Sequence, residues 1–315
     1  MHPVPPLPDI REVADGDVLD GHLWLLELVD GTRLRFRMDD SGLLRFGDAE
    51  TTYDDPDAVP LPLRPAVRWV RERFDREALR DAVPTPERVE FFGVATHHCG
   101  TDYDWERLPP FLGADVWIGS ESDPADGAFR PPDAAAAIFE GIGLEPINAV
   151  AREVNARDFD PDGYAVPASA WRDGPAAGVV VRNKRGGRAK LAAGESSGRS
   201  DAPDSESAPE PESVDEPAAV AEPDAAPEAA ATAHATDATD ERVERAIAAL
   251  SRQGATPAVD AVVERVIETI ARETPVRFGG GGRGVDPERL RASVRDRVRP
   301  ALDGRAASGD SPSGR

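Results

Sequence analysis

The sequence predicts an α+β protein built on a mostly antiparallel β-rich domain over residues 1–191. A disordered acidic linker follows over 192–240, then a small all-helical module over 241–302 and a disordered tail over 303–315. Three observations predict this layout. Short apolar or alternating runs separated by turn residues fill the first part. The composition then changes abruptly to alanine, proline and acid. After that, apolar residues recur at helical spacing.

Within 1–191, the runs Leu23–Leu28, Arg33–Met38 and Gly42–Phe46 read as strands, and Asp39-Asp40-Ser41-Gly42 makes a hairpin loop. Residues 64–74 place Val67, Val70 and Phe74 on one side of a helix. Val89–Ala95 and Leu112–Ile118 read as strands, Asp133–Gly141 as a short helix after Pro131-Pro132. Gly178–Arg182 and Arg188–Leu191 form a last strand pair around Lys184-Arg185-Gly186-Gly187.

Residues 192–240 hold 13 acids, one arginine, six prolines, 15 alanines and no aromatic residue. Such a segment buries too little apolar surface to offset its ordering entropy. Beyond it, Val243, Ile247 and Leu250 share one helical face, and Val259 to Ile270 repeat the pattern after Thr256-Pro257. Four glycines at 279–282 read as a connector. A third helix opens at Asp286-Pro287-Glu288, with Leu290, Val294 and Val298 on its apolar side. Its polar side carries Arg289, Arg291, Arg295, Arg297 and Arg299, which reads either as a solvated, ion-paired surface or as a phosphate-contacting face.

Composition limits the classes. The 315 residues carry a net charge of -22, and only two of the 37 basic residues are lysines, Lys184 and Lys190. Acid-rich, lysine-poor chains suit a high-salt cytoplasm, where screening over about 3 Å at molar salt leaves nucleic acid available as a partner. No apolar run is long enough for a membrane span. No secretory signal is visible at the N-terminus. A single cysteine, Cys99, excludes an internal disulfide and a multi-cysteine zinc site. His97 and His98, adjacent on a strand, point to opposite faces and rarely share one ion, so no metal site is expected.

Four segments carry a family likeness in order and spacing. They are His22 to Arg33 with Glu27-Leu28-Val29-Asp30-Gly31, Phe91-Phe92-Gly93-Val94-Ala95, Asp102 to Pro109 running on to Ala114-Asp115-Val116-Trp117, and Ala177 to Asn183 followed by Arg188-Ala189-Lys190. Together they resemble the ATP-dependent RNA ligase family of covalent nucleotidyltransferases. That resemblance implies RNA end joining with ATP and Mg²⁺, acting on 5′-phosphate and 3′-hydroxyl ends. In such proteins a lysine amine attacks the α-phosphorus of ATP, helped by a lowered pKa. The matching position here is Leu28. The positions matching a ribose-binding glutamate and a metal-associated glutamate are Val94 and Ala177. Leucine cannot form a phosphoramidate, and arginine stays protonated.

The resemblance therefore implies a catalytically degenerate homologue that binds RNA ends or a nucleotide in RNA repair or processing. Asp30, Gly31, Arg33, Arg45, Arg182, Lys184, Arg188 and Lys190 would line the nucleotide and phosphate pocket, with Phe92 against the base. Two alternatives stay open. One is an active ligase with its nucleophile displaced to Lys184 or Lys190. The other is a non-catalytic scaffold or regulatory subunit that partners an active ligase or repair protein.

Overall fold

A computed structural model describes residues 1–13, 18–120, 126–193, 238–254, 257–276 and the helix and bridge residues of 285–308. Most of the linker and the four glycines lie outside the described residues. Two compact units emerge, residues 1–193 with 264–275, and residues 194–263 with 276–315. No helix among the described residues is long and apolar enough to cross a membrane.

The first unit is α+β and antiparallel. Strands β1 (His22–Glu27), β8 (Ala149–Asn155), β9 (Gly178–Asn183) and β10 (Arg188–Ala192) form a four-stranded sheet in the order β10-β9-β1-β8. Strands β2 (Gly31–Met38), β3 (Leu44–Gly47), β4 (Thr52–Tyr53), β5 (Val89–Thr96), β6 (Phe111–Gly119) and β7 (Gly127–Phe129) form a six-stranded sheet in the order β4-β3-β2-β5-β6-β7.

Alternation sorts each strand's side chains. On β2, Leu34, Phe36 and Met38 are buried, while Arg33, Arg35 and Arg37 take the other face. Register carries the same division across the sheet, since Phe36 pairs with Phe46 and Phe91, and Arg35 with Phe92. The apolar face packs on α1 (Arg64–Arg73) and α3 (Pro132–Gly141) through Ala66, Val67, Val70, Ala135 and Phe139. Between these helices, α2 (Arg76–Ala82) is capped by Asp75, whose carboxylate accepts from the Glu77 and Ala78 amides.

The small sheet divides likewise. Leu23, Leu25, Val179, Val181, Ala189 and Leu191 form one apolar cluster. Trp24 and Leu26 lie on the opposite face with Val180, and pack with Val29, Leu112, Ile147 and Val94 of the neighbouring segments. The two sheets thus turn one face each toward a common cleft.

Helices α4 (Asp240–Arg252), α5 (Val259–Glu273) and α6 (Pro287–Ser308) follow. Residues 264–275 group with the first unit. Among them Arg272 is buried and donates to the carbonyls of Thr96, Leu108 and Trp105. Helix α6 also runs to Ser308, through Pro300 and past the expected start of the tail at 303.

Candidate phosphate-binding cleft

A cleft of about 360 Å³ lies between the two sheets of the first unit. It has an apolar end and a charged end. Leu26, Leu28, Val29, Val94, Ile147 and Val180 line the first. Arg33, Asp115, Arg182 and Arg188 line the second, with Lys190 bordering it and exposed.

The charged end is set by strand register. Arg188 on β10 is opposite Arg182 on β9, which is opposite Trp24 on β1, so both guanidinia take the cleft side of the small sheet. On the large sheet, Arg35 is opposite Phe92, and Phe92 is opposite Asp115, which sets Asp115 on the face that carries Arg33. Arg182 Nη2 stands 2.6 Å from Asp115 Oδ1, and Arg188 Nη1 donates to Asp115 Oδ2 at 2.9 Å. All three side chains are almost fully buried, at 2%, 8% and 3% exposure for Arg182, Arg188 and Asp115.

The pair Arg182–Asp115 is close but misaligned. Arg182 Nη1 donates to the Ala114 carbonyl at 2.8 Å, whereas its Nε and Nη2 are buried with no aligned acceptor. Two guanidinia therefore share one carboxylate, and Arg33 lines the same end of the cleft with its Nη1 on the Pro5 carbonyl. Burial pushes the Arg188 pKa down to about 10, Asp115 opposes this, and Arg182 and Arg33 add to it. Arg33 is lowered for the same first cause, burial. Each stays charged at neutral pH. Buried cations in excess over their counter-ion at the edge of a cavity suit an anion.

A metal ion fits less well. The two carboxylates lining the cleft are both committed. Asp115 holds the arginines, and Glu27 accepts from Asn148 Nδ2 at 2.8 Å, Ser169 Oγ at 2.5 Å and the Ala170 amide at 3.1 Å. Among the described residues no group of three or more His, Cys, Asp or Glu could hold a metal ion. The cleft residues thus fit a phosphate and do not fit a resident Mg²⁺.

The structure brings together Leu28, Gly31, Arg33, Phe92, Val94, Arg182, Arg188 and Lys190 from the expected set. Gly31 is required there, because at its φ of 151° a Cβ would collide with the Ala95 carbonyl oxygen. Four other residues of the expected set lie outside the cleft lining. Arg45 is out on β3, paired with Asp39 at 3.2 Å, because the hairpin loop holds it locally. Lys184 sits in the exposed β9–β10 turn, 2.8 Å from Glu153, which holds its amine above the usual lysine range and unsuited to nucleophilic attack. Asp30 is buried as a loop tie, its carboxylate accepting from the Thr101 amide at 3.2 Å. Ala177 precedes β9 outside the cleft lining, its carbonyl accepting from the Ala193 amide. Glu27 was missed because a glutamate ending an apolar strand gives no sign of its three donors.

The solved structures that resemble this chain include RNA ligases. An archaeal ATP-dependent RNA ligase matches with 13% identity and a TM-score of 0.41, over 60% of this chain and 48% of that one. A second form of it matches with 11% identity and a TM-score of 0.43, over 98% and 67%. The Naegleria gruberi RNA ligase with PPi matches with 12% identity and a TM-score of 0.45, over 61% and 56%. The chain spans about half the length of the ligase chains it matches in the first and third cases. No family model matches the sequence, and no curated protein does. At these scores the cleft's chemistry rests on its own geometry.

In the second unit, most of the arginine face of α6 is ion-paired. Arg289 meets Asp286 at 3.6 Å, Arg291 meets Glu288 at 2.7 Å, and Arg295 meets Asp260 at 2.8 Å. Arg297 donates to the Ala238 carbonyl at 3.3 Å, and Arg299 is exposed. Leu290, Val294 and Val298 are fully buried beneath them.

Proposed function

We propose that this chain is a catalytically degenerate relative of ATP-dependent RNA ligases that binds the phosphorylated end of RNA, or a free nucleotide, without forming a covalent adenylate. The observation that carries this reading is the pairing of two facts in one cleft. Arg182 and Arg188 pair with Asp115 at one end, where Arg33 also lines the cleft, and Leu28 stands at the other, where the family's lysine would be.

The chemistry follows from the side chains. A phosphate entering beside Asp115 would lie against the guanidinia of Arg33, Arg182 and Arg188, which line that end of the cleft. Charge-assisted bonds of this kind contribute about 1.5–3 kcal/mol each. Leu28 offers no electron pair, so no phosphorus–nitrogen bond forms and no pyrophosphate leaves. The apolar end presents Val94 and Val180 in contact range of a sugar or base, giving burial without a hydrogen-bond code.

Of the alternatives, displaced catalysis retains one amine at the cleft, Lys190. The arginine face of α6 is the weaker RNA surface, because Arg289, Arg291, Arg295 and Arg297 already have partners.

Calorimetric titration of inorganic pyrophosphate into the protein in molar KCl tests the reading. Binding that weakens at least tenfold in Arg182→Gln supports it. Equal binding in wild type and in a folded Arg182→Gln protein would remove the charged end as an anion site.

A further inference from the structure

Residues 1–8 lie across the cleft face of the large sheet. Val4 and Leu7 are among the cleft's lining residues. Arg33 donates to the Pro5 carbonyl, and Arg35 Nη1 donates to the His2 carbonyl at 2.7 Å. The His2 amide donates to Glu90 at 2.7 Å, and the Lys190 amide to the Pro8 carbonyl at 2.8 Å. The His2 ring stacks on Trp117, with centroids 3.9 Å apart and planes inclined by 27°.

The surface beneath this segment is unusual in composition. Trp117 meets Phe129 edge-to-face at 5.0 Å, and Phe129 lies 5.6 Å from Phe92. Arg188 stands over the Phe129 ring at 4.4 Å, so the aromatic row continues directly from the arginine cluster. Beside it runs the arginine face of β2, Arg33, Arg35 and Arg37. Arg35 is 7% exposed, and its Nε has no hydrogen-bond partner. Aromatic faces flanked by guanidinia are the standard means of holding single-stranded nucleic acid, with stacking of about 1–3 kcal/mol per base.

The segment's contacts match that chemistry group for group. A flat ring rests on Trp117, where a base would. Two backbone carbonyl oxygens sit on Arg33 and Arg35, where phosphate oxygens would. We propose that Trp117 and Arg35 form a base-and-phosphate subsite for a single-stranded RNA end leading out of the cleft, and that residues 1–8 are its internal competitor. The inference rests on the cleft reading above for its RNA, and adds the subsite and its regulation. RNA entry requires the segment to lift away, and anything that holds the segment down keeps the cleft closed.

The test is fluorescence anisotropy with a short single-stranded RNA, labelled at its 3′ end and carrying either a 5′-phosphate or a 5′-hydroxyl. Three proteins are compared in the same molar KCl buffer: the full chain, a chain lacking residues 2–7, and a full chain carrying His2→Gly with Val4→Ser. The last keeps the backbone and guards against a deletion that does not fold. The proposal expects at least tenfold tighter RNA binding in the deleted chain, and a smaller gain in the double variant. Trp117→Ala or Arg35→Gln in the deleted background should abolish the gain, and a peptide of residues 1–9 added in trans should compete with RNA. Unchanged affinity in both altered chains, or a gain that Trp117→Ala does not touch, overturns it. The two 5′ ends separate this from the cleft reading. Loss of any 5′-phosphate preference, with the gain retained, would sink the cleft reading and leave the subsite standing. A 5′-phosphate preference with no gain would do the reverse.

Discussion

The two ends of the cleft differ by one step along the same strands. On β9, Val180 and Arg182 point to the same side two residues apart, about 7 Å along the strand, while on the large sheet Val94 lies directly opposite Arg33. At the apolar end the resemblance asks for a lysine at 28 and a glutamate at 94, and the chain has Leu28 and Val94. At the charged end Arg182, Arg188 and their carboxylate are buried, and Arg33 is half-buried beside them. On the reading proposed above, phosphate binding and phosphoryl chemistry would fall on separable halves of one cleft. Apolar substitutions at one half strand no charge, whereas removing Asp115 at the other would strand two buried guanidinia.

That asymmetry can be broken by mutation, and the largest effect belongs at the charged end. Asp115→Ala leaves Arg182 and Arg188 buried without their counter-ion, and should destabilise the fold by about 3–5 kcal/mol in urea denaturation. Leu28→Ala, at half-buried Leu28, should lose only about 1–2 kcal/mol, below the range for a fully buried leucine. Equal losses would mean that the two ends are not energetically distinct.

Next in size are the affinities. Arg188→Gln should weaken pyrophosphate binding by tenfold or more, about 1.4 kcal/mol, in calorimetry. Leu28→Gln should change it by less than twofold. Leu28→Lys sharpens the same contrast. The amine it adds would lie beside committed Glu27 and apolar Val94, and no covalent AMP should appear after incubation with labelled ATP. A labelled Leu28→Lys protein would mean that the apolar end lacks only its nucleophile.

The smallest effects are at the periphery. Lys184→Gln removes an exposed pair with Glu153, and should shift stability by less than about 0.5 kcal/mol and leave anion affinity unchanged. Affinity should also stay flat from pH 7.5 to 9. Burial lowers Arg188 only to about 10, so its charge is lost above that window, and the sign is a fall in anion affinity as pH rises through 10.

Much of the fold was legible in the sequence because period-two runs such as Leu34, Phe36 and Met38 mark a half-buried strand whatever their partners. Strand β8 was not, since Ala149–Asn155 has no fully buried residue and pairs irregularly with β1. Helix α2 escaped for lack of an apolar stripe, with Leu79 its one buried residue. In the cleft, motif spacing located Arg33, Arg182 and Arg188, whose strands fix their side. It misplaced Arg45 and Lys184, whose positions depend on turns and on acids far away in sequence. The neutralisation of Arg295 by Asp260 of another helix was likewise invisible to a count of charges along one face. The aromatic row under His2 was invisible too, since Phe92, Trp117 and Phe129 come from three strands and the covering segment from residues 1–8.

The most direct test of the divided cleft is a single filter-binding measurement with α-labelled ATP at millimolar concentration and Mg²⁺ in molar KCl, read before and after denaturation on one sample. Label retained by the native protein and released on denaturation is the expected result, because the charged end holds phosphate while Leu28 forms no bond to it. Label that survives denaturation would show covalent capture and contradict the loss of the reactive half. Absence of label from the native protein would contradict the survival of the binding half.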